Sequence, residues 1–441
     1  MQNIDLMISG GKALLLDNNN TSIENAGIAI HNSSIIDIGG KEEILQKYTA
    51  RKTITGENSL IMPGFVNTHT HAAMTCFRGI ADDLELMDWL NNYIFPAEAK
   101  NVNPQLAYWG SLLACAEMIK SGTTTFCDMY IFEEETARAA KEAGVRCLVG
   151  EVLFDFPSPS CKTPEEGLAC TRRLAEKWYN DPLVRIIVEP HSLYTCSRPL
   201  LQQAKMIADE FGLMLGIHLL ENQQEHDQLL EKHGKSAVAF LDDIGYLNER
   251  LLAFHCVYLT INDISLFAKH GCKVSHNPAS NMKLGNGIPP ITDMLEAGIT
   301  VGLGTDGCAS NNTLDMIKEM STAAKLHKVA MLDPTVMDAK TAMRMATING
   351  ARALGMGHLV GSLEVGKKAD IILIGLNKPH LTPLYNAYSH MVYAAGGADV
   401  DTVVINGKVV MENRRLLTIA EADVMNEVRK IAVGVKKSMN M

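Results

Sequence analysis

GLMLGIHLLENQQEHDQLLEKHG, residues 212–234, holds the pattern that decides the fold. A short apolar run ends in His218, and a polar stretch with helical spacing follows at once. An apolar run of this length reads as a strand buried on both faces, and a strand passing directly into a helix is half of a βαβ unit. The alternation repeats through the middle of the chain. Apolar runs in RCLVGEVLF (146–154), VRIIVEP (184–190), RLLAFHCV (250–257), GCKVSHNP (271–278) and ITVGLGTD (299–306) are interleaved with helical stretches such as 105–120, 133–143, 163–179 and 198–211. Strands alternating with helices build a parallel sheet. Eight such units fit within residues 62–365, the size of a (β/α)8 TIM barrel. A doubly wound open sheet competes, but it calls for a glycine-rich phosphate turn after an early strand, and the chain has none.

The two ends differ from this middle and resemble each other. DLMISGGKALLLD (5–17), AGIAIHNSSIIDIG (26–39) and RKTITG (51–56) are short β-rich runs punctuated by Gly and Asn. The same texture returns in ADIILIGL (369–376) and DTVVINGKVVMEN (401–413), the latter with an Asn-Gly turn. Neither end alone has enough strand to close a core. The α/β chain is therefore expected as three parts: residues 1–61 and 366–441 together making a small β-sandwich, the latter ending in a helix from Ile419 to about Lys437, and residues 62–365 making the barrel.

Composition narrows the function. Of 441 residues, 47% are apolar and 20% charged, as in an ordinary packed globular protein. A net charge of −10 speaks against a nucleic-acid partner. No apolar stretch approaches the roughly 20 residues that span a bilayer. The opening MQNIDLMISGGKALLLD lacks a basic segment followed by an apolar core, so no signal peptide is expected. Ten cysteines without a Cys-x-x-Cys pair fit reduced, mostly buried thiols, and the protein is expected in the cytoplasm.

The apolar runs end in chemistry. His69 and His71 close the first, and His191, His218, His255, His276 and Asp306 close or follow later ones. In a parallel barrel all strands end on the face where active sites are built, so these residues are expected to converge. A single histidine at a strand end is more often a hydrogen-bonded core residue, and for His276 alone that is the better reading. Six of the 14 histidines at such ends is much harder to ascribe to chance. In His69-x-His71 the two side chains lie on one side of the strand. Imidazoles plus a carboxylate are the donor set of Zn2+ or a similar divalent ion, and such an ion with an open position makes a hydrolytic site.

As a set and in this order, PGFVNTHTH (63–71), GIHLLEN (216–222), LLAFHCVYL (251–259), VSHNPASNMKLGNG (274–287) and GLGTDGCASNN (302–312) resemble the amidohydrolase superfamily. The likeness covers the whole chain. Within the superfamily the motifs are most similar to those of methylthioadenosine/S-adenosylhomocysteine and 5′-deoxyadenosine deaminases. The resemblance implies one divalent metal per subunit, most often Zn2+, held by His69, His71, His218 and Asp306. Relatives with two metals use a carboxylated lysine at the end of strand four. RIIVEPHSLY (185–194) has no lysine there, so a mononuclear site is expected, with Glu189 in a structural role. The likeness further implies that Glu221 moves protons at the heterocycle, that His255 bonds the attacking water, and that Asp306 takes its proton. Trp89 would line the nucleoside pocket, Glu98 would grip the ribose diol, and His191 would touch substrate.

One departure bears on specificity. Relatives that take S-adenosylhomocysteine clamp its amino-acid carboxylate with two arginines, and the matching positions here fall on Glu151 and near Gly167. Glu151 would then face the substrate tail and repel a carboxylate. The Arg172–Arg173 pair could restore the contact only if its helix shifted. The expected substrates are 5′-deoxyadenosine, methylthioadenosine and adenosine, with homo-oligomeric assembly as in many members of the family. Rival readings are hydrolytic dechlorination of a triazine, which has no diol for Glu98, deamination of guanine or a pterin, and a non-catalytic scaffold, which would usually have lost ligands.

Overall fold

The structure is a computed structural model and describes residues 1–439. Eight parallel strands close into a barrel: β1 Phe65–Thr70, β2 Thr123–Tyr130, β3 Arg146–Leu153, β4 Val184–Pro190, β5 Met214–Leu219, β6 Leu251–His255, β7 Lys273–His276 and β8 Thr300–Leu303. Closure comes where Leu303 of β8 pairs with Asn67 of β1. The ring has no edge, which rules out the open doubly wound sheet. Every residue of β1, β2 and β3 is buried, because one face of each looks into the barrel and the other meets the helical layer. That double burial is why β3, in RCLVGEVL, reads as a largely apolar run.

The ends of the chain meet in two further sheets. One is four-stranded and wholly N-terminal, in the order Ser34–Gly40, Ala26–His31, Gln2–Ser9, Tyr48–Thr55. The other is seven-stranded and mixes both ends, joined where Ile371–Gly375 pairs antiparallel with Ser59–Pro63. Side chains alternate in both central strands. Ile61, Ile371 and Leu373 pack with Leu6, Ile8 and Ile28 between the two sheets, while Leu60, Met62, Ile372 and Ile374 join the core that runs into the barrel. The sandwich expected from the two ends is thus one unit with a shared core.

The passage from sheet to barrel is made at Gly64, between Pro63 and Phe65. A Cβ there would lie 2.1 Å from Thr124 Cγ2, so only glycine lets the chain cross so close to β2. A buried ion pair braces the same junction. Arg146, the first residue of β3, donates from Nε and Nη2 to the two carboxylate oxygens of Asp370, each at 3.1 Å. The terminal helix, Glu421–Met439, packs on helix Pro104–Lys120, with Lys120 Nζ 2.8 Å from Glu421 Oε1. Among the described residues, no helix is long and apolar enough to cross a membrane.

Candidate active site

The carboxyl ends of β1, β5, β6 and β8 bring five ionisable side chains together. His69 and His71 come from β1 and the residue after it, their rings 4.8 Å apart and edge to face. His218 of β5 lies 4.9 Å from the His69 ring and 5.5 Å from that of His71. His255, last in β6, is 5.6 Å from His69. Asp306, just past β8, points Oδ1 at the Nε2 atoms of His71 and His69, at 3.2 and 3.4 Å. The ligand atoms of His69, His71 and His218 lie within 4.8 Å of one another, and so do those of His69, His255 and Asp306.

Two of these residues, and the neighbour of one, are held in strained backbone. His255, Cys256 and Asp306 have φ of 68°, 52° and 62°, the left-handed region that residues with a Cβ seldom adopt. Such strain persists where surrounding contacts enforce it, and it clusters at functional sites.

The donor set fits a metal ion. His71 Nδ1 faces the carbonyl of Met129, and His218 Nδ1 faces the carbonyl of His191 at 3.0 Å. Each carbonyl takes the Nδ1 hydrogen and leaves Nε2 as a bare lone pair, the arrangement typical of ligand histidines. His69 is wholly buried, and neither of its ring nitrogens has a hydrogen-bond partner. A buried imidazole with two orphaned nitrogens is costly, and a coordinated cation would satisfy it. Burial pushes His69 down to about 3 and His218 well below the usual histidine range, so both stand as the neutral ligands a cation requires. Asp306 Oδ2 accepts from Ser280 Oγ at 2.6 Å and Ser310 Oγ at 2.8 Å, which fixes the carboxylate plane.

A cavity opens above this cluster. Glu221, on the loop after β5, is buried in its wall, and its Oε1 accepts from Asn286 Nδ2 at 3.0 Å. Glu98 also lines the cavity and is buried, which pushes its carboxyl up to about 7. Trp89 gives its indole N–H to Ala81 O at 3.1 Å and offers the cavity its apolar ring. His191 lines the cavity, its Nδ1 3.0 Å from Thr195 Oγ1 and its ring 5.0 Å from that of Phe154. Leu90, Ile94, Phe95, Ile131 and Val152 complete an apolar wall, and among the described residues no lysine or arginine lines the cavity.

Two expected residues are not brought there. His276 is buried, but it faces the helical layer. Ser275 bonds Thr68 of β1 at 2.6 Å, and β1 does not neighbour β7, so that bond crosses the barrel interior. Alternation then turns His276 outward, where its Nε2 lies 3.1 Å from Nε2 of His327. Glu151 is turned outward for the same reason, since Val152 beside it takes the place in the cavity wall. Its carboxylate accepts from the backbone N–H groups of Phe132 and Glu133, at 3.2 and 3.0 Å, and from Ser160 Oγ. It caps helix Glu133–Ala143 and does not line this cavity. Glu189 is enclosed among β2–β5, with Cys127 Sγ 3.8 Å from Oε1, and belongs to neither ligand group. Arg172 pairs with Glu210 at 2.6 Å and does not reach the cavity.

Residue-by-residue reading passed over Ser280, Asn281, Asn286 and Ser310. The visible signal was the density of Ser and Asn directly after β7 and β8.

A model of the amidohydrolase family matches residues 60–410. The chain is 62% identical over 439 residues to 5-methylthioadenosine/S-adenosylhomocysteine deaminase 1 of Syntrophus aciditrophicus, covering 100% of this chain and 99% of that one. It is 44% identical over 438 residues to the 5′-deoxyadenosine deaminase of Methanosarcina mazei, covering 99% of each. Among solved structures, an adenosine deaminase from Xanthomonas campestris with bound zinc superposes with a TM-score of 0.97 at 36% identity, covering 99% of both chains.

Proposed function

The chain belongs to the amidohydrolase family, and we propose from that premise that it hydrolyses the C6 amine of 5′-modified adenosines, releasing ammonia and the inosine analogue. The observation that carries the reading is one cavity whose lining combines His71, His218, His255 and Asp306 with Glu221 and Glu98. That combination of chemistry suits a nucleoside lying with its base on the cluster and its ribose on Glu98.

The family is metal-dependent. We assign His69, His71, His218 and Asp306 as the ligands of one Zn2+ ion, which would supply Lewis acidity and lower the pKa of water to about 7. The chain's own groups do the rest. The apolar wall with Trp89 receives the base and excludes bulk water. The two oxygens of Glu98 accept from the neighbouring ribose hydroxyls. Glu221, whose carboxyl burial pushes above the usual carboxylate range, gives a proton to N1 and makes the ring electrophilic at C6. His255 orients the water with its Nε2 lone pair. Asp306 takes one proton as the oxygen joins C6. The remaining hydroxyl proton passes to the amine, the C6–N bond breaks, ammonia leaves, and the proton held by Asp306 restores Glu221.

Because no lysine or arginine lines the cavity among the described residues, the preferred substrates are those without a zwitterionic tail: 5′-deoxyadenosine, methylthioadenosine and adenosine ahead of S-adenosylhomocysteine. Ammonia release over a panel of adenosines differing only at the 5′ position, with metal analysis of the purified enzyme, tests both parts. No release from any member refutes the deaminase assignment. A clear preference for S-adenosylhomocysteine refutes the specificity.

A further inference from the structure

We infer that Asn281 and Asn286 are positioning residues of opposite polarity, one accepting from His255 and the other donating to Glu221, both delivered by the single segment 277–287. The inference rests on the roles just proposed for those two side chains.

The segment leaves β7 after His276, forms helix Pro278–Lys283 and turns at 284–287. Asn281 is fully buried, and its Oδ1 lies 2.8 Å from His255 Nδ1. Asn286 is buried too, and its Nδ2 donates to Glu221 Oε1 at 3.0 Å. The two are tied together, because the backbone N–H of Asn286 donates to the carbonyl of Asn281 at 2.9 Å. They are also tied to the end of β6, since Tyr258 Oη donates to the carbonyl of Asn286 at 2.8 Å. Gly287, at φ +121°, permits this closeness. A Cβ there would lie 2.9 Å from Val257 Cγ1 and would push the turn away.

The polarity follows from what each partner must do. His255 Nδ1 has two oxygens near it, Asn281 Oδ1 at 2.8 Å and Glu221 Oε1 at 3.8 Å. An oxygen pair calls for a hydrogen on Nδ1, which leaves Nε2 as the lone pair turned toward His69 and Asp306. Glu221 Oε1, occupied by the Asn286 amide, leaves Oε2 as the oxygen free for the base. The 3.8 Å between Glu221 and His255 is the reason two clamps are needed. Released from their asparagines, a carboxyl group and an imidazole this close would close into a direct pair, and both would turn from the substrate. A carboxamide carries both a donor and an acceptor, so one residue type meets opposite demands at the two positions.

Substitution by aspartate separates the two polarities. Asn281→Asp keeps the acceptor, and Asn281→Leu removes it. Asn286→Asp removes the donor and sets a second carboxylate against Glu221. On folded, zinc-loaded enzyme of unchanged metal content, N281D should turn over within about tenfold of the parent. N281L and N286D should lose about 10–100-fold in kcat with KM little changed. An N281D enzyme no better than N281L, or an N286D enzyme as fast as the parent, overturns the assignment. Because an aspartate variant can fail to fold, the parent holoenzyme supplies a second readout. With 15N-labelled histidine, NMR should show His255 protonated at Nδ1, and protonation at Nε2 overturns the inference equally. Failure of the deaminase reading looks different: the parent would release no ammonia, whatever the tautomer of His255.

Discussion

The hydrogen bond that orients the ring of His218 comes from a backbone oxygen: its Nδ1 lies 3.0 Å from the carbonyl of His191. The His191 side chain meanwhile faces the cavity. His191→Ala keeps the carbonyl and removes only the ring. The variant should bind metal at the parent stoichiometry, with kcat/KM lowered about tenfold, mostly through KM, as for one lost hydrogen bond. Metal analysis beside steady-state kinetics checks this, and loss of the metal would show that the side chain itself supports the centre.

Glu221 shares the cavity wall with the ligand cluster but is not assigned to it. Glu221→Gln should therefore retain fold and metal while turnover falls by about 10²–10⁴, the usual cost of removing a proton-transfer group. Near-parental turnover on 5′-deoxyadenosine would remove Glu221 from the mechanism.

The Arg146–Asp370 pair spans barrel and terminal sheet, with side chains 3% and 2% exposed. Removing either partner strands a buried charge. Arg146→Met or Asp370→Leu alone should cost about 3–5 kcal/mol in denaturant unfolding. The double variant should recover more than half of that loss, because two apolar side chains leave no charge behind. A double variant as unstable as either single one would contradict the explanation.

His327, packed against His276, gives an acid-stability signature. Burial pushes its pKa down from 6.5 to about 4, so the folded protein resists a proton that the unfolded chain accepts. Its contribution is fully present above about pH 6.5 and is lost as the pH falls toward 4. Over that window each such group changes the unfolding free energy by about 1.4 kcal/mol per pH unit. His327→Asn should flatten the fall by roughly one group's share, read from denaturant midpoints across the window. An unchanged slope would mean that His327 titrates normally.

Much of the architecture was legible in one dimension. A closed parallel barrel buries both faces of its strands, so VRIIVEP and GLMLGIHLL are mainly apolar, and Pro, Gly and polar residues gather between them. The sandwich showed itself because short hairpin-like strands cannot close a core alone, leaving the two ends to seek each other. His69, His71, His218, His255 and Asp306 were legible because ionisable residues at the ends of apolar strands are rare, and their strands end on one face.

What the chain alone did not reveal was decided at single residues. His276 ends a strand as His218 does, yet it faces a helix, because Ser275 took the inward place. Glu151 followed the same parity and became a helix cap beside the inward Val152. Asn281 and Asn286 carry no mark distinguishing them from surface asparagines until the turn at Gly287 is folded against Val257. The sequence by itself therefore determined the barrel, its joined ends and the strands that bear the site, since periodic burial is a property of the chain's own spacing. Which side of a strand each terminal residue faces, and which amide meets which catalytic group, only the tertiary structure decided. Those outcomes depend on pleat phase and on contacts between segments distant in sequence, where a shift of one residue reverses the result.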